Sequence, residues 1–584
     1  MLLLRCFTLF TCLFLSCALT LSASELNVRD FGAVGDGVTD DTAAFQQALD
    51  KAGETHGSVV FAPVGKYLVK THLNIPAYVT LKGVWEAPQA FVQNKGTTLL
   101  AVEGAGDPDG TPFITMNYHT TLMGITIYYP DQKPTQEKPT PYPWTIANTP
   151  GDNISVLDCL IVNPYQMIRF VWAGRHYIRG VYGQPLYRGI YIDECYDVGR
   201  IENCHLWPFF TGWLDQHKSM NEWMLDNAVA FEFARTDWQY VHNTFCFGYA
   251  VGYKFSESQH GSTNGNFLGI GADCTVRPIL VEQAQPAGLL ITNAELVGAW
   301  GRQDSVCVEI GENVRGKVSI TNSSFWGPID RCVWMKSPHT NFTSTANHFI
   351  NWNVSGSDRS AIEIEAGRAI INGNTFGDGG SHVSIGPRVQ SAIIMGNQAR
   401  GGISIRNQAG KRTQMVANEE SPVQWTDEAR LRYRIDVGME GDSQYLRNWH
   451  DMEHSQGFFA RWSTPTSRLI LPVQPGKQYY ISMDMRLENY AKGEGTGLFI
   501  GDKLIASLDQ MTSINGTLRA VIPAQSSDTL ELVFRTRGWV PNRINPESKD
   551  YRVLGAYVQN VRMTAFGSGD APVFNANTGE MLKD

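Results

Sequence analysis

The sequence predicts an all-β protein: a right-handed parallel β-helix with an N-terminal capping helix, followed by a β-sandwich of jelly-roll type. Two rhythms and one break carry this. A five-residue strand, with two apolar positions flanking a variable one, recurs as Gly189-Ile190-Tyr191-Ile192-Asp193, Ala230-Phe231-Glu232-Phe233-Ala234 and Gly252-Tyr253-Lys254-Phe255-Ser256. It continues through Pro278–Glu282, Ser305–Glu309, Arg331–Met335, Ala361–Glu365 and His382–Gly386 to Gly402–Arg406. An asparagine marker recurs in step at Asn203, Asn243, Asn293, Asn322, Asn347 and Asn374, the last three steps being 29, 25 and 27 residues. The break comes near Asn407, where the rhythm stops. Units this short, with no helix long enough for a βαβ crossover, bury inward side chains only against the coils above and below. Asparagine tolerates left-handed backbone and bonds its neighbour, so the marker reads as one structural stack at a turn.

Taken in order, residues 1–24 hold Arg5, an apolar run to about Leu21 and the small residues Ser22, Ala23 and Ser24, which is the pattern of a secretory signal peptide. Export to the periplasm or the exterior is the expectation, with a lipoprotein site at Cys17 the weaker reading. No later run is apolar enough to cross a membrane as a helix. At 584 residues the chain is too long for one core, and a net charge of −9 excludes nucleic acid as the partner. The cysteines beyond the signal, between Cys159 and Cys332, sit in apolar runs without zinc-type spacing. They read as small buried hydrophobes, and no metal or cofactor is expected.

The helix-end segment NVRDFGAVGDGVTDDT (27–42) packs four aspartates and three glycines into sixteen residues. Glycines permit positive φ, and Asp40 or Thr39 is placed to cap a helix over 41–52 whose Ala44, Phe45, Ala48, Leu49 and Ala52 form one apolar stripe. Such a helix covers the open end of a coil. This segment, with AAFQQALDKAGETHGSVVFAPVGKYLV after it, resembles the N-terminal signature of the pectate-lyase-like superfamily of polysaccharide-degrading β-helices. The resemblance over 26–84 implies the fold for a domain spanning 25–407. Beyond it, 408–424 is polar and reads as a linker, 425–566 alternates apolar and polar residues as a β-sandwich does, and 567–584 reads as a tail. Trp449, Trp462 and Trp539 are assigned to core packing.

In each pentapeptide the second and fourth residues point inward, leaving the third and fifth on an outer face. Stacked, that face reads Arg169, Tyr191 with Asp193, Glu232, Lys254 with Ser256, Glu282 and Glu309, then Val333 with Met335. Coils lie about 4.8 Å apart, so carboxylates on adjacent coils reach the ~5–9 Å separation glycosidases use. Asp193 and Glu232 are the leading catalytic pair, followed by Asp237, Glu257 and Asp273. The 40 residues from Asn203 to Asn243 enlarge one turn and bring Trp207 and Trp213, which with Trp238 and Tyr191 suit sugar rings. Arg169, Arg235, Lys254, His260 and Glu282 complete the substrate-binding set, and His217, His242 and His260 are candidate acid–base groups.

Against the polygalacturonase type of this superfamily, only Gln259-His260-Gly261, Ser404-Ile405-Arg406 and Asp193-Glu194 approach the expected motifs, each incompletely. The calcium-binding aspartates of pectate lyases have no counterpart. The expected activity is an exported glycoside hydrolase acting on a polysaccharide in the coil groove. A lyase on uronate polymers, with Lys254, Arg235 or His260 as base, and a non-catalytic carbohydrate-binding protein remain open beside it.

Overall fold

The computed structural model describes residues 25–582 except 56, 86–95, 301, 303, 328, 378–379, 400, 421–424 and 456. The expected signal peptide, 1–24, lies outside the described residues. Among those described, 38 strands from Glu25–Asn27 to Thr413–Val416 join in one sheet of parallel pairings. Each coil contributes three strands: Val251–Phe255, Thr263–Leu268 and Gly271–Thr275 pair with Arg277–Val281, Leu289–Thr292 and Glu295–Gly298 of the next. Connections between parallel partners run through the coil itself, the winding of a parallel β-helix.

The inward positions form ladders. Ile168, Ile190, Phe231, Tyr253, Ile279 and Val308 follow in register, all 0–1% exposed. Aromatic rings stack at the strand repeat, Phe231 on Tyr253 at 4.9 Å and 4°, and Phe325 on Phe349 at 4.6 Å. The seven cysteines Cys159 to Cys332 are free and buried.

The asparagine marker resolves into two columns. Asn203, Asn243, Asn293 and Asn322 have φ of 48–55°, and Gly269, Gly373 and Gly396 (φ 61–64°) take left-handed backbone at the equivalent turns of other coils. Asn347, Asn374, Asn397 and Asn418 stand one residue further along and are largely buried. Each accepts a backbone N–H from the coil before: Asn347 from Ser323 at 2.9 Å, Asn374 from Asn347 at 3.0 Å, Asn397 from Asn374 at 3.0 Å, Asn418 from Asn397 at 3.2 Å. The single expected stack merges the two, because spacing alone does not separate neighbouring turn positions.

At the N-terminal end helix α1 (Thr42–Gly53) buries Ala44, Phe45, Ala48, Leu49 and Ala52. Gln46 accepts from Asn74 N–H (2.9 Å) and donates to Asn74 C=O (3.1 Å), so a helix side chain takes up the backbone groups of an edge strand. The aspartates before it build turns. Asp36 accepts from the N–H groups of Val38 and Thr39, Asp41 from those of Val34 and Gly35, and Asp40 from Thr42 N–H at the helix start. Gly35 has φ 69°, and a Cβ there would meet the Tyr67 ring at 2.8 Å.

The expected boundary at 407 is too early. Thr413–Val416 pairs with Val383–Met395, and Asn418 extends the asparagine column, so most of the supposed linker is a last coil. After it an eleven-stranded sheet, antiparallel but for one pairing, surrounds its own core, including Tyr433, Leu469, Met483, Leu532 and Met563. Trp449 is buried against Phe534, while Trp462 and Trp539 meet edge-on at 5.4 Å. The supposed tail is a partner too: Val573–Asn575 pairs with Arg432–Asp436, and Asn577 donates to Asp436 C=O. Asp358 of the coil holds both Arg406 and, at 2.7 Å, Arg468 of the second unit.

Burial pushes His176 and His450 down to about 4 and His382 to about 3, against an ordinary value of 6.5. On unfolding they gain protons that the folded chain refuses. Their contribution to stability is therefore complete above pH 6.5 and is lost as the pH falls toward about 4, at up to ~4 kcal/mol per pH unit when all three take part. Urea midpoints should already drop between about pH 6.5 and 5, where carboxylates are still ionised; a flat profile there contradicts the assignment.

Candidate active site

Six neighbouring strands form the candidate face: β1 (Gln166–Val171), β2 (Arg188–Asp193), β3 (Val229–Phe233), β4 (Val251–Phe255), β5 (Arg277–Val281) and β6 (Val306–Ile310). Register places Arg169 beside Tyr191, Tyr191 beside Glu232, Glu232 beside Lys254, Lys254 beside Leu280 and Leu280 beside Glu309. Inward neighbours on both sides of each residue fix its outward aim.

Glu232 is 8% exposed and lies between two cations, Arg188 at 2.6 Å and Lys254 at 3.6 Å. Lys254 also reaches Glu282 at 3.4 Å. The Arg188 guanidinium covers the Tyr191 ring at 4.7 Å and faces Trp144 at 5.3 Å. Arg169 stands apart: it is half-buried and no carboxylate pairs with it among the described residues. Burial, with the Asp193 and Glu232 charges, pushes the Tyr191 phenol well above its usual range, so it stays protonated.

Asp193 organises the turn after β2. Its Oδ1 accepts from Glu194 N–H (2.9 Å), Arg235 N–H (3.0 Å) and the Ser258 hydroxyl (2.9 Å), while Tyr191 O–H donates to Oδ2 at 3.2 Å. Ser258 Oγ in turn accepts from His260 N–H, and the His260 ring lies 3.0 Å from Glu194, whose φ is 51°. Arg235 grips Asp237 through two nitrogens (2.6 and 2.9 Å), and Gln285 and Asn264 also donate to it. The Arg235 hydrogen bonds hold the Asp237 carboxyl below its usual range. Trp172, Tyr196 and Trp238 stand exposed at the rim, Arg235 lying 5.1 Å over Tyr196. Among the described residues no group of three or more His, Cys, Asp or Glu is set to hold a metal ion.

The family model "Rhamnogalacturonase A/epimerase, pectate lyase-like" matches residues 26–133. Over those residues the chain is pectate-lyase-like. A mannuronan C5-epimerase of Azotobacter vinelandii, AlgE1, is 56% identical over 45 residues, 8% of this chain and 3% of the epimerase. The Arabidopsis thaliana polygalacturonase ADPG1 is 54% identical over 54 residues, 9% of this chain and 12% of that enzyme. These matches thus span small parts of the relatives' lengths. Among solved structures, the Azotobacter vinelandii AlgE6 epimerase A-module covers 64% of this chain and 99% of its own, at 14% identity and a TM-score of 0.41. A likeness of that size carries no argument about site or substrate.

Within the coil the expected residues divide. Arg169, Tyr191, Asp193, Glu232, Lys254 and Glu282 share the face, and Arg235, Asp237, Trp238 and His260 gather at its edge. Asp273 leaves the set: it lies on Gly271–Thr275, a different strand of the coil, beside Phe247. Burial and the Glu295 charge push it up, and its Oδ1 has no hydrogen-bond partner among the described residues. Trp207 packs edge-on against Phe209 at the β-helix core, and Trp213 against Phe247 and the Leu225–Val276–Ala299 cluster. The enlarged turn, with helix α2 (Lys218–Asn227), folds over that other side. Glu257 is fully outward, with no ion pair among the described residues. His217 is buried on Thr211 C=O, and His242 lies on the Thr236–His242 strand.

Val333 and Met335, expected outward, are buried, and Trp334 takes the outer position level with Glu309. Only the Arg331–Met335 pentapeptide is one residue out of frame: Val333 is level with inward Val308 below and Ile362 above. Arg188, Glu194, Trp144 and Trp172 were not selected by sequence. Arg188 has the parity of an inward residue, and only its reach along the face brings it to Glu232.

Proposed function

We propose that this protein acts on a uronate-bearing polysaccharide by removing the proton next to the sugar carboxylate, as lyases and C5-epimerases do. The observation that carries this is Arg169: the other cations of β1–β6, Arg188, Lys254 and Arg277, each have a carboxylate, whereas Arg169 faces the groove without one among the described residues. A half-buried guanidinium next to Tyr191 suits the carboxylate of an acidic sugar, and neutralising that carboxylate acidifies its C5–H. His260, oriented by Glu194, is the base. Tyr191, kept protonated by burial and neighbouring charge, gives a proton to the leaving oxygen or returns one to the opposite face of C5. In elimination the C5–H electrons form C4=C5 as the C4–O bond breaks. Export, as the N-terminal sequence suggests, belongs to the same reading.

Hydrolysis is the second reading, favoured by the hydrogen-bonded adjacency of the Asp193 and Glu232 strands. It asks more of these groups, since Asp193 Oδ1 already takes three donors and Glu232 two cations. A panel of uronate and neutral polysaccharides, assayed in deuterated water for ultraviolet absorbance, reducing ends and deuterium at C5, separates them. Absorbance marks a lyase and deuterium without cleavage an epimerase. Reducing ends without either, or equal rates on neutral polymers, overturn the proposal in favour of hydrolysis, and binding with no reaction overturns it in favour of a binding protein.

A further inference from the structure

A cleft of about 760 Å³ separates the last third of the coil from the antiparallel unit, away from the β1–β6 face. Its size is that of a ligand site. The coil side presents Trp300, 55% exposed, and Trp326, whose indole N–H donates to Glu295 at 3.3 Å and so fixes the ring. The opposite side presents Tyr551, 52% exposed, on a loop that also carries Arg543 and Lys549. Exposed aromatic faces converging across a cleft are what pyranose C–H faces pack on.

Charge chooses among sugars. In a chain of net charge −9, the cleft collects Arg302, Arg543, Lys549 and Arg552 against the carboxylates of Asp451 and Asp550. Arg302 is held by Asp226 and Asp304, and Arg552 by Asp550 and Glu453. Arg543 and Lys549 are exposed and make no ion pair among the described residues. His450, at the back, is pushed down to about 4 by burial, so it stays neutral and bonds Val553 C=O at 2.9 Å, bracing the Tyr551 loop.

We propose that this cleft is a second carbohydrate site that binds a short stretch of acidic polysaccharide, the rings on Trp300 and Trp326 and the carboxylates on Arg543 and Lys549. It stands independently of the groove chemistry, because a chain with an inert groove still binds here. The test is affinity electrophoresis and calorimetry of the full chain with alginate, polygalacturonate and a neutral galactan. The double variant Arg543→Glu/Lys549→Glu, both at exposed positions, should weaken binding to the acidic polymers about tenfold or more, with the weakening lost at high salt. Its unfolding midpoint, and its rate on any soluble oligosaccharide the groove accepts, should be unchanged. Trp300→Ala should weaken binding at both low and high salt. Affinity unchanged by the charge reversal, or a preference for galactan that survives it, overturns the proposal. If Trp300→Ala proves unstable, the charge variant alone decides.

Discussion

Alanine at His260 is expected to lower kcat by roughly 10²–10⁴-fold on whichever uronate polymer is turned over, with KM shifted only a few-fold. The ring lies 3.0 Å from Glu194, and its backbone N–H is tied through Ser258 to Asp193, which also receives Tyr191 O–H. The proposed base and acid and their supports thus form one network, built from Tyr191 of β2, the turn after it and the Ser258–His260 segment after β4. Because the backbone contact to Ser258 survives the substitution, the loss should be chemical, and added imidazole should restore part of it. Glu194→Gln, acting through the ring's orientation, should cost about tenfold in kcat with KM unchanged. Undiminished turnover in His260→Ala removes the histidine from the mechanism.

The largest effect on stability is expected at Asp442. Its carboxylate and Arg461 are 0% and 3% exposed and meet through two hydrogen bonds of 2.7 and 2.9 Å. Asp442 also accepts Gly438 N–H at 2.6 Å, and Arg461 donates to His450 C=O at 3.1 Å. Asp442→Asn removes a charge that faces a buried guanidinium, which costs about 3–5 kcal/mol. The antiparallel unit has a separate core, so the loss should appear as an earlier transition of that unit in urea, followed by the fluorescence of its tryptophans. Replacing both partners, Asp442→Leu with Arg461→Met, should recover much of the loss, since an apolar pair needs no counter-charge. A shift below ~1 kcal/mol for Asp442→Asn contradicts this account.

The face of the coil was legible in the sequence where strand parity holds. Arg169, Tyr191, Glu232 and Lys254 align in register as the pentapeptides predict, because Ile190, Phe231 and Tyr253 must point inward and leave their neighbours no other direction. Parity failed at two kinds of place. At Arg331–Met335 the frame is offset by one residue, which the apolar Cys-Val-Trp-Met run conceals. At left-handed residues, Glu194 in a turn and Trp238 at an irregularity within a strand (φ 51° and 54°), the chain is re-aimed, and no alternation rule reaches them. The enlarged turn misled for a related reason: aromatic composition marked Trp207 and Trp213 as exposed platforms, but the direction of the loop sends both against other apolar groups.

Sequence by itself determined the coil, because a repeat of short apolar strands without crossover helices has only its own neighbours to bury against. It also determined that the aspartates near residue 36 serve turns. Only the tertiary structure decided which charges are spent on one another. The pairing of Glu232 with Arg188 and Lys254, the Glu194–His260 contact across 66 residues, and the solitary Arg169 all depend on side chains from separate coils. Electrostatic interaction falls with distance in space and takes no account of distance along the chain, so a linear pattern cannot record which cation is left free for a ligand.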